Sequence, residues 1–152
     1  MKTDVSFETF ISGLQGLRVN NLWRGFGSAV FLELGRLSKR TKRNGSPGQP
    51  VGEVTIGIEW SWRIEGENSI ICGSWSDEEL WEPTFDRLRN TNVSLIKLFG
   101  TLPEVAIFTS SSLCFVSFST TEGQPAWSFV DRRADTVCSY SVKDGKIQSM
   151  IG

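Results

Sequence analysis

Histidine is absent from all 152 residues. That removes Ser-His and Cys-His nucleophile pairs, the commonest metal ligand and the side chain best placed to move protons near neutral pH. Cysteine is scarce: Cys72, Cys114 and Cys138 are three in number, widely spaced and free of any Cys-x-x-Cys pattern. A disulfide framework is therefore not expected, a thiolate zinc site would lack its fourth ligand, and the three read as thiols buried in strands. Long apolar runs are missing too. Stretches such as Ala29 to Leu32 and Val105 to Phe108 fall far short of the roughly 18 residues of a membrane span. The opening MKTDVSFETF carries Asp4 and Glu8, so it does not read as a secretory leader, and a cytoplasmic protein without a membrane segment is expected.

What is present is a globular composition. With 39% hydrophobic and 22% charged residues, the chain fits one domain spanning residues 1–152, large enough to bury about 68–70% of its unfolded surface. Six tryptophans and ten phenylalanines supply large core side chains, so no staple is needed for stability. The formal net charge of −1 argues against wholesale nucleic-acid binding. It conceals a split, however: residues 1–50 hold 8 Lys and Arg against 3 Asp and Glu, and residues 51–152 hold 8 against 14.

Phe7, Phe10, Ile11, Leu14 and Leu17 recur at spacings of three and four, which predicts an amphipathic helix ending near Gly16. Residues 28–37 read as an apolar strand, and Ser38 to Pro50 as an exposed, mobile loop without apolar side chains. Val51 to Glu65 is the clearest strand, with 69–75 as its hairpin partner. Ser76-Asp-Glu-Glu79 has the form of a capping box, followed by a buried stripe of Leu80, Trp81, Phe85 and Leu88; Pro83 predicts a kink or two short helices. Further strands are expected at about 93–99, 104–109, 113–119, 126–131, 135–142 and 145–150, with Glu122-Gly-Gln-Pro125 and Asp144-Gly145 among the turns. The expected fold is α+β: about eight or nine mainly antiparallel strands, strongly curved or barrel-like, with an N-terminal and a mid-chain helix packed on them.

Several motifs have bland readings. Arg24-Gly-Phe-Gly-Ser28 resembles a phosphate-cradling loop but runs into a strand and lacks the following Lys-Ser/Thr, so it reads as a turn. Asp77, Glu78, Glu79 and Glu82 occupy a helix start, where acids suit the dipole without a metal. Lys39, Arg40, Lys42 and Arg43 form a cationic loop.

The stretch IEWSWRIEG is the most informative. Alternate strand residues share a face, so Val54, Ile56, Ile58, Trp60, Trp62 and Ile64 are expected to point inward. Glu59, Ser61 and Arg63 would then line the outer face. A two- or four-residue turn at Gly66 would set Trp62 opposite Ile71, Trp60 opposite Gly73 and Ile58 opposite Trp75.

Gly25-Phe-Gly-Ser-Ala-Val-Phe-Leu-Glu-Leu-Gly35, Ile58-Glu-Trp-Ser-Trp-Arg63 and Ala126-Trp-Ser-Phe129 together resemble small uncharacterised bacterial β-rich proteins, some of them suspected immunity or accessory factors. The resemblance implies a β-rich fold and a bacterial source and brings no catalytic residues. The expected function is a non-enzymatic protein-binding module of immunity or accessory type, without cofactor or metal, contacting another protein through Glu59, Arg63, Lys39, Arg40, Lys42 and Arg43. The alternative is a small-molecule binder or carboxylate-dependent enzyme with a pocket between sheet and helices. Edge strands leave pairing with a second copy open.

Overall fold

The structure, a computed structural model, describes residues 2–123 and 126–152, with side chains from Phe7 onward. It forms a mainly antiparallel α+β fold of two sheets. The larger holds, in spatial order, β1 (Val19–Arg24), β2 (Val30–Leu34), β3 (Val54–Ile58), β9 (Trp127–Asp131), β10 (Cys138–Lys143) and β11 (Lys146–Ile151). The smaller holds β5 (Ile70–Gly73), β4 (Trp62–Glu65), β8 (Cys114–Ser117), β7 (Glu104–Thr109) and β6 (Val93–Phe99). Both sheets stay open, so the expected barrel-like closure is not found. The inner faces of both sheets feed one core, in which Leu32, Ile56 and Phe129 from the first meet Trp62, Ile64 and Phe115 from the second.

Helices close the two open sides. The N-terminal α1 (Lys2–Ser12) packs against the edge strands β11 and β6, inserting Phe7 and Phe10 among Trp127, Phe129 and Tyr140. It stops at Ser12, short of the expected Gly16, because the chain turns there: Gly16 adopts φ +92° and donates its N–H to the Val93 carbonyl, 2.8 Å away. On the other side α2 (Trp81–Leu88) contacts β1 and β5. A short 3-10 turn, Glu78–Leu80, precedes it, so two short helical pieces replace one rod, and Pro83 sits harmlessly in the first turn of α2. The capping box does not form. Ser76 Oγ instead accepts the Gly73 N–H at 2.9 Å, which commits it to the end of β5, and Asp77 caps without a side-chain bond.

The strand expected over 51–65 is broken. Its first part, β3, lies in the larger sheet beside β9; its second, β4, lies in the smaller beside β8. The β3·β9 ladder thus continues into β4·β8 across a corner, through a Glu59 N–H to Ala126 O bond at 2.9 Å and a Phe118 N–H to Ser61 O bond at 3.2 Å. Ile58 and Trp62 are four apart, an even number, so Val54, Ile56, Ile58, Trp62 and Ile64 all enter the core, from opposite sheets. That is why the period looked continuous. The β4–β5 register also differs from expectation: Arg63 faces Gly73 and Ile64 faces Cys72, with a bulge before Glu65, which carries Trp75 past the hairpin.

The outer face of the larger sheet hides a carboxylate. Glu33 is fully buried, taking the Trp23 Nε1–H at 2.8 Å on one oxygen and the Gly52 N–H at 3.0 Å and Thr55 Oγ1–H at 2.5 Å on the other. Beside it, Trp23 stacks on Phe31 at 4.5 Å, and Phe31 lies over Gly57, where even a Cβ would come within 3.0 Å of the ring. The 38–51 loop above is a paired hairpin, with bridges Ser38 to Val51 and Thr41 to Pro47.

All three cysteines are free. Cys72 is in the main core, and Cys138 packs half-buried against it. Cys114 sits with Ala106 and Val116 in a small apolar cluster on the outer face of the smaller sheet. Burial, with help from the nearby Glu65 charge, pushes its thiol up to about 11.

Trp62 is the hinge of the core. Fully buried, it touches Trp81, Phe85 and Phe115 with ring centroids 5.0, 5.7 and 5.3 Å away, and its Nε1–H donates to Ser28 O at 2.7 Å. Trp62→Ala is expected to cost about 3–5 kcal/mol, read as a fall in the urea midpoint.

Candidate functional site at the Trp60 corner

Between the two halves of the broken strand, Ser61 N–H bonds back to Glu59 O at 3.0 Å, and the residue between them, Trp60, has φ +72°. These are the features of the γ-turn with positive φ, the rarer and more strained form. A bulky side chain in this region costs about 1–3 kcal/mol and persists only where its surroundings impose it. Here the surroundings do. The ladder bonds of Glu59 and Ser61 fix both neighbours, and Ser28 Oγ–H donates to the Trp60 carbonyl at 2.6 Å. Trp60 was expected inside with the even residues; the turn swings it out, and it is 54% exposed.

Trp60 has exposed company. Ser28 belongs to the β1–β2 turn, whose tip carries Phe26, 99% exposed. Ser74 N–H bonds to Trp62 O at 2.9 Å, which sets Trp75, 85% exposed, beside the same corner. Arg24 holds the adjoining 3-10 turn by an ion pair to Glu78 and a cation–π contact 4.5 Å above the Trp81 ring, and brings Leu80, also exposed, to this end. Phe99 ends β6 in the same terminal row of the smaller sheet, opposite Glu104. Among the described residues, every exposed tryptophan and phenylalanine therefore lies at one end of the molecule.

The second chain to pass the corner, from β8 to β9, takes a longer path than the three residues 59–61. Beside it opens a groove of about 790 Å³, lined by Leu102, Glu104, Ala126, Val142 and Asp144 among others. The carboxylate of Glu104 is already engaged, accepting Ser117 Oγ–H at 2.8 Å and Ser119 N–H at 2.7 Å. Gln124 and Pro125 of the expected Glu122-Gly-Gln-Pro125 turn lie outside the described residues. A smaller hollow of about 310 Å³ lies between α1 and β6, with Glu8 and Lys97 as its charged groups. Among the described residues no group of three or more Cys, Asp or Glu side chains is placed to hold a metal ion.

The residues singled out from the sequence are not brought together. Glu59 is exposed at the corner, next to Trp60. Arg63 is half-buried on the outer face of the smaller sheet, paired with Glu65 at 2.6 Å and lying 5.3 Å from the Phe118 ring. Ser61, expected between them on a polar face, is buried, because the turn reverses its direction. Lys39, Arg40, Lys42 and Arg43 are exposed on the 38–51 hairpin, which leaves the opposite end of β2 and β3. Five residues of β3, about 13–17 Å, separate the two ends. Phe26, Trp75 and Leu80 were missed as site residues. A Gly-Phe-Gly tip read as a turn already implied an exposed Phe26; nothing in the sequence placed Trp75 beside it.

Comparison with protein-family models, with curated proteins and with solved structures found no match.

If the turn imposes positive φ on residue 60, Trp60→Gly is expected to be more stable than Trp60→Ala by about 1 kcal/mol, the reverse of the usual order. Urea midpoints of the two variants check this.

Proposed function

We propose that this chain is a non-enzymatic protein-binding module, of immunity or accessory type, that docks its partner on the Trp60 end. The observation that carries the reading is the gathering of Phe26, Trp60, Trp75 and Leu80 around a backbone turn that holds a large aromatic outward at an energetic cost. Exposed aromatics anchor protein interfaces because they bury large areas with few torsions to freeze. Their surroundings are acidic: Glu59, Asp77 and Glu79 are exposed nearby, and Arg24 is paired with Glu78. A partner with a basic surface around an apolar pocket suits this end, and binding there would act by occlusion.

Of the polar strand face first considered, Glu59 remains in the docking surface as part of its acidic rim. Arg63 does not, since its charge is matched by Glu65. The alternative, a small-molecule binder or carboxylate-dependent enzyme with a pocket between sheet and helices, gains less support. The hollow between α1 and β6 stands at such a place but is small, about 310 Å³, with Glu8 as its one carboxylate; the larger groove lies among loops, and Glu104 within it already has its hydrogen bonds.

The test is photo-crosslinking in extract of the source cells, with a benzophenone amino acid at position 26, 60 or 75 and at Gln148 on the outer sheet face as control. One partner is expected to be captured from the first three positions, to form a stoichiometric complex on size exclusion, and to be lost by Phe26→Ser/Trp60→Gly/Trp75→Ser at unchanged melting temperature. An unaltered complex with that triple variant would remove the Trp60 end from the proposal.

A further inference from the structure

We propose that the opposite end of the larger sheet, carrying the 38–51 hairpin, binds the phosphodiester backbone of nucleic acid without reading its sequence. The inference is independent of the aromatic end. Ser38 and Val51 exchange backbone bonds at 2.7 and 3.0 Å, and Gly48 N–H bonds to Arg40 O at 2.7 Å, so the hairpin presents its side chains from a paired backbone. A Cβ on Gly48 would lie 3.6 Å from the Lys42 side chain and 3.7 Å from that of Arg40, which places both on one face. Arg132 is far away in sequence but joins them. Its N–H bonds to Glu53 O at 2.8 Å, and its Nη1 donates to Thr55 Oγ1 at 2.6 Å and to Gly52 O at 3.4 Å. Arg36, leaving β2, completes the set.

The cations outnumber the acids at this end. Asp131 pairs with Arg133; Glu33 is buried among the neutral donors of Trp23, Gly52 and Thr55, and Glu53 accepts the Arg36 N–H at 2.9 Å, which leaves these two acids beside six cations. Among the described residues, none of Arg36, Lys39, Arg40, Lys42, Arg43 and Arg132 has an ion pair. Arg132 lies within reach of both signs: burial lowers its affinity for its proton, the Glu33 charge raises it, and the nearby Arg40 charge, the smallest of the three effects, lowers it. Like charges held together this way repel, and an anion placed between them converts that repulsion into attraction.

The kind of anion follows from what the end lacks. Protein hot spots are enriched in tryptophan and tyrosine anchors, and single-strand binders need aromatic platforms for bases. Every exposed Trp and Phe of the described residues is at the other end. Arginine forks and lysines without stacking partners suit phosphates, whose contacts supply affinity but no sequence information. A net charge of −1 hides this because the acids are concentrated elsewhere.

The test is fluorescence anisotropy of the whole chain with a labelled, mixed-sequence DNA duplex and a second duplex of unrelated sequence. Equal binding of both is expected, with log affinity falling against log salt at a slope of about −4 to −5 for about five phosphate contacts. That is a loss of a few hundred-fold between about 50 and 200 mM salt. Arg40→Ala should flatten the slope by about one, and Lys39→Glu/Arg40→Glu/Lys42→Glu/Arg43→Glu should abolish binding at unchanged melting temperature, whereas Phe26→Ser/Trp75→Ser should leave it intact. Absence of binding at about 50 mM salt, or retention by the quadruple variant, overturns the proposal. So does poly-glutamate competing as well as duplex at equal charge, which would assign the end to an acidic protein instead.

Discussion

The corner between Ile58 and Trp62 is the constraint on which the remaining architecture depends. Two strand pairs, β3 with β9 and then β4 with β8, carry one ladder from the first sheet into the second, and the hydrogen bonds of Glu59 and Ser61 keep the pairing unbroken on both sides of the bend. With the centres of the sheets joined in this way, their edges are left apart. The helices fill those gaps, α1 against β11 and β6 and α2 against β1 and β5. Trp62 reports how tightly the halves are joined, since it is packed on Trp81, Phe85 and Phe115 while its indole N–H reaches back to Ser28 in the first sheet. A turn compact enough to make the bend needs positive φ at its centre, and the residue there is a tryptophan rather than the glycine that would adopt it freely.

The bend also divides the chemistry of the surface. At its own end are the exposed aromatics with a rim of acids; at the far end of β2 and β3 are the hairpin cations joined by Arg132. The charge imbalance between the first fifty residues and the remainder survives folding as two poles, although Arg132 crosses over from the acidic half. Glu33 holds the basic pole in shape. Its two oxygens tie Trp23, Gly52 and Thr55 together beneath the hairpin, and Thr55 in turn accepts from Arg132.

Much of this was legible in the sequence, and the exceptions have physical causes. Strands from Val93 to Ile151 announce themselves by apolar runs between Gly, Pro and Asp-Gly turns, and the Phe7, Phe10 and Ile11 stripe marks α1. The break in the 51–65 strand is invisible to periodicity because the corner consumes an even number of steps, so the inward set keeps its parity across two sheets. Only Trp60 violates it. Ser76 shows a different limit: the capping pattern is present in the sequence, but no box forms, because the hydroxyl accepts the N–H of Gly73, three residues back at the end of β5. Glu33, a charged residue in an apolar strand, gave no sign of its burial because its partners come from β1, the end of the hairpin and β3.

The account stands on Trp60 being held outward at positive φ while Trp62 is sealed. NMR of the labelled protein reads both at once. A strong intraresidue HN–Hα NOE at residue 60, with its indole signal bleached by a soluble paramagnetic agent and that of Trp62 preserved, is the expected result. A weak NOE at residue 60 together with an equally protected Trp60 indole would restore one continuous inward strand and contradict the corner.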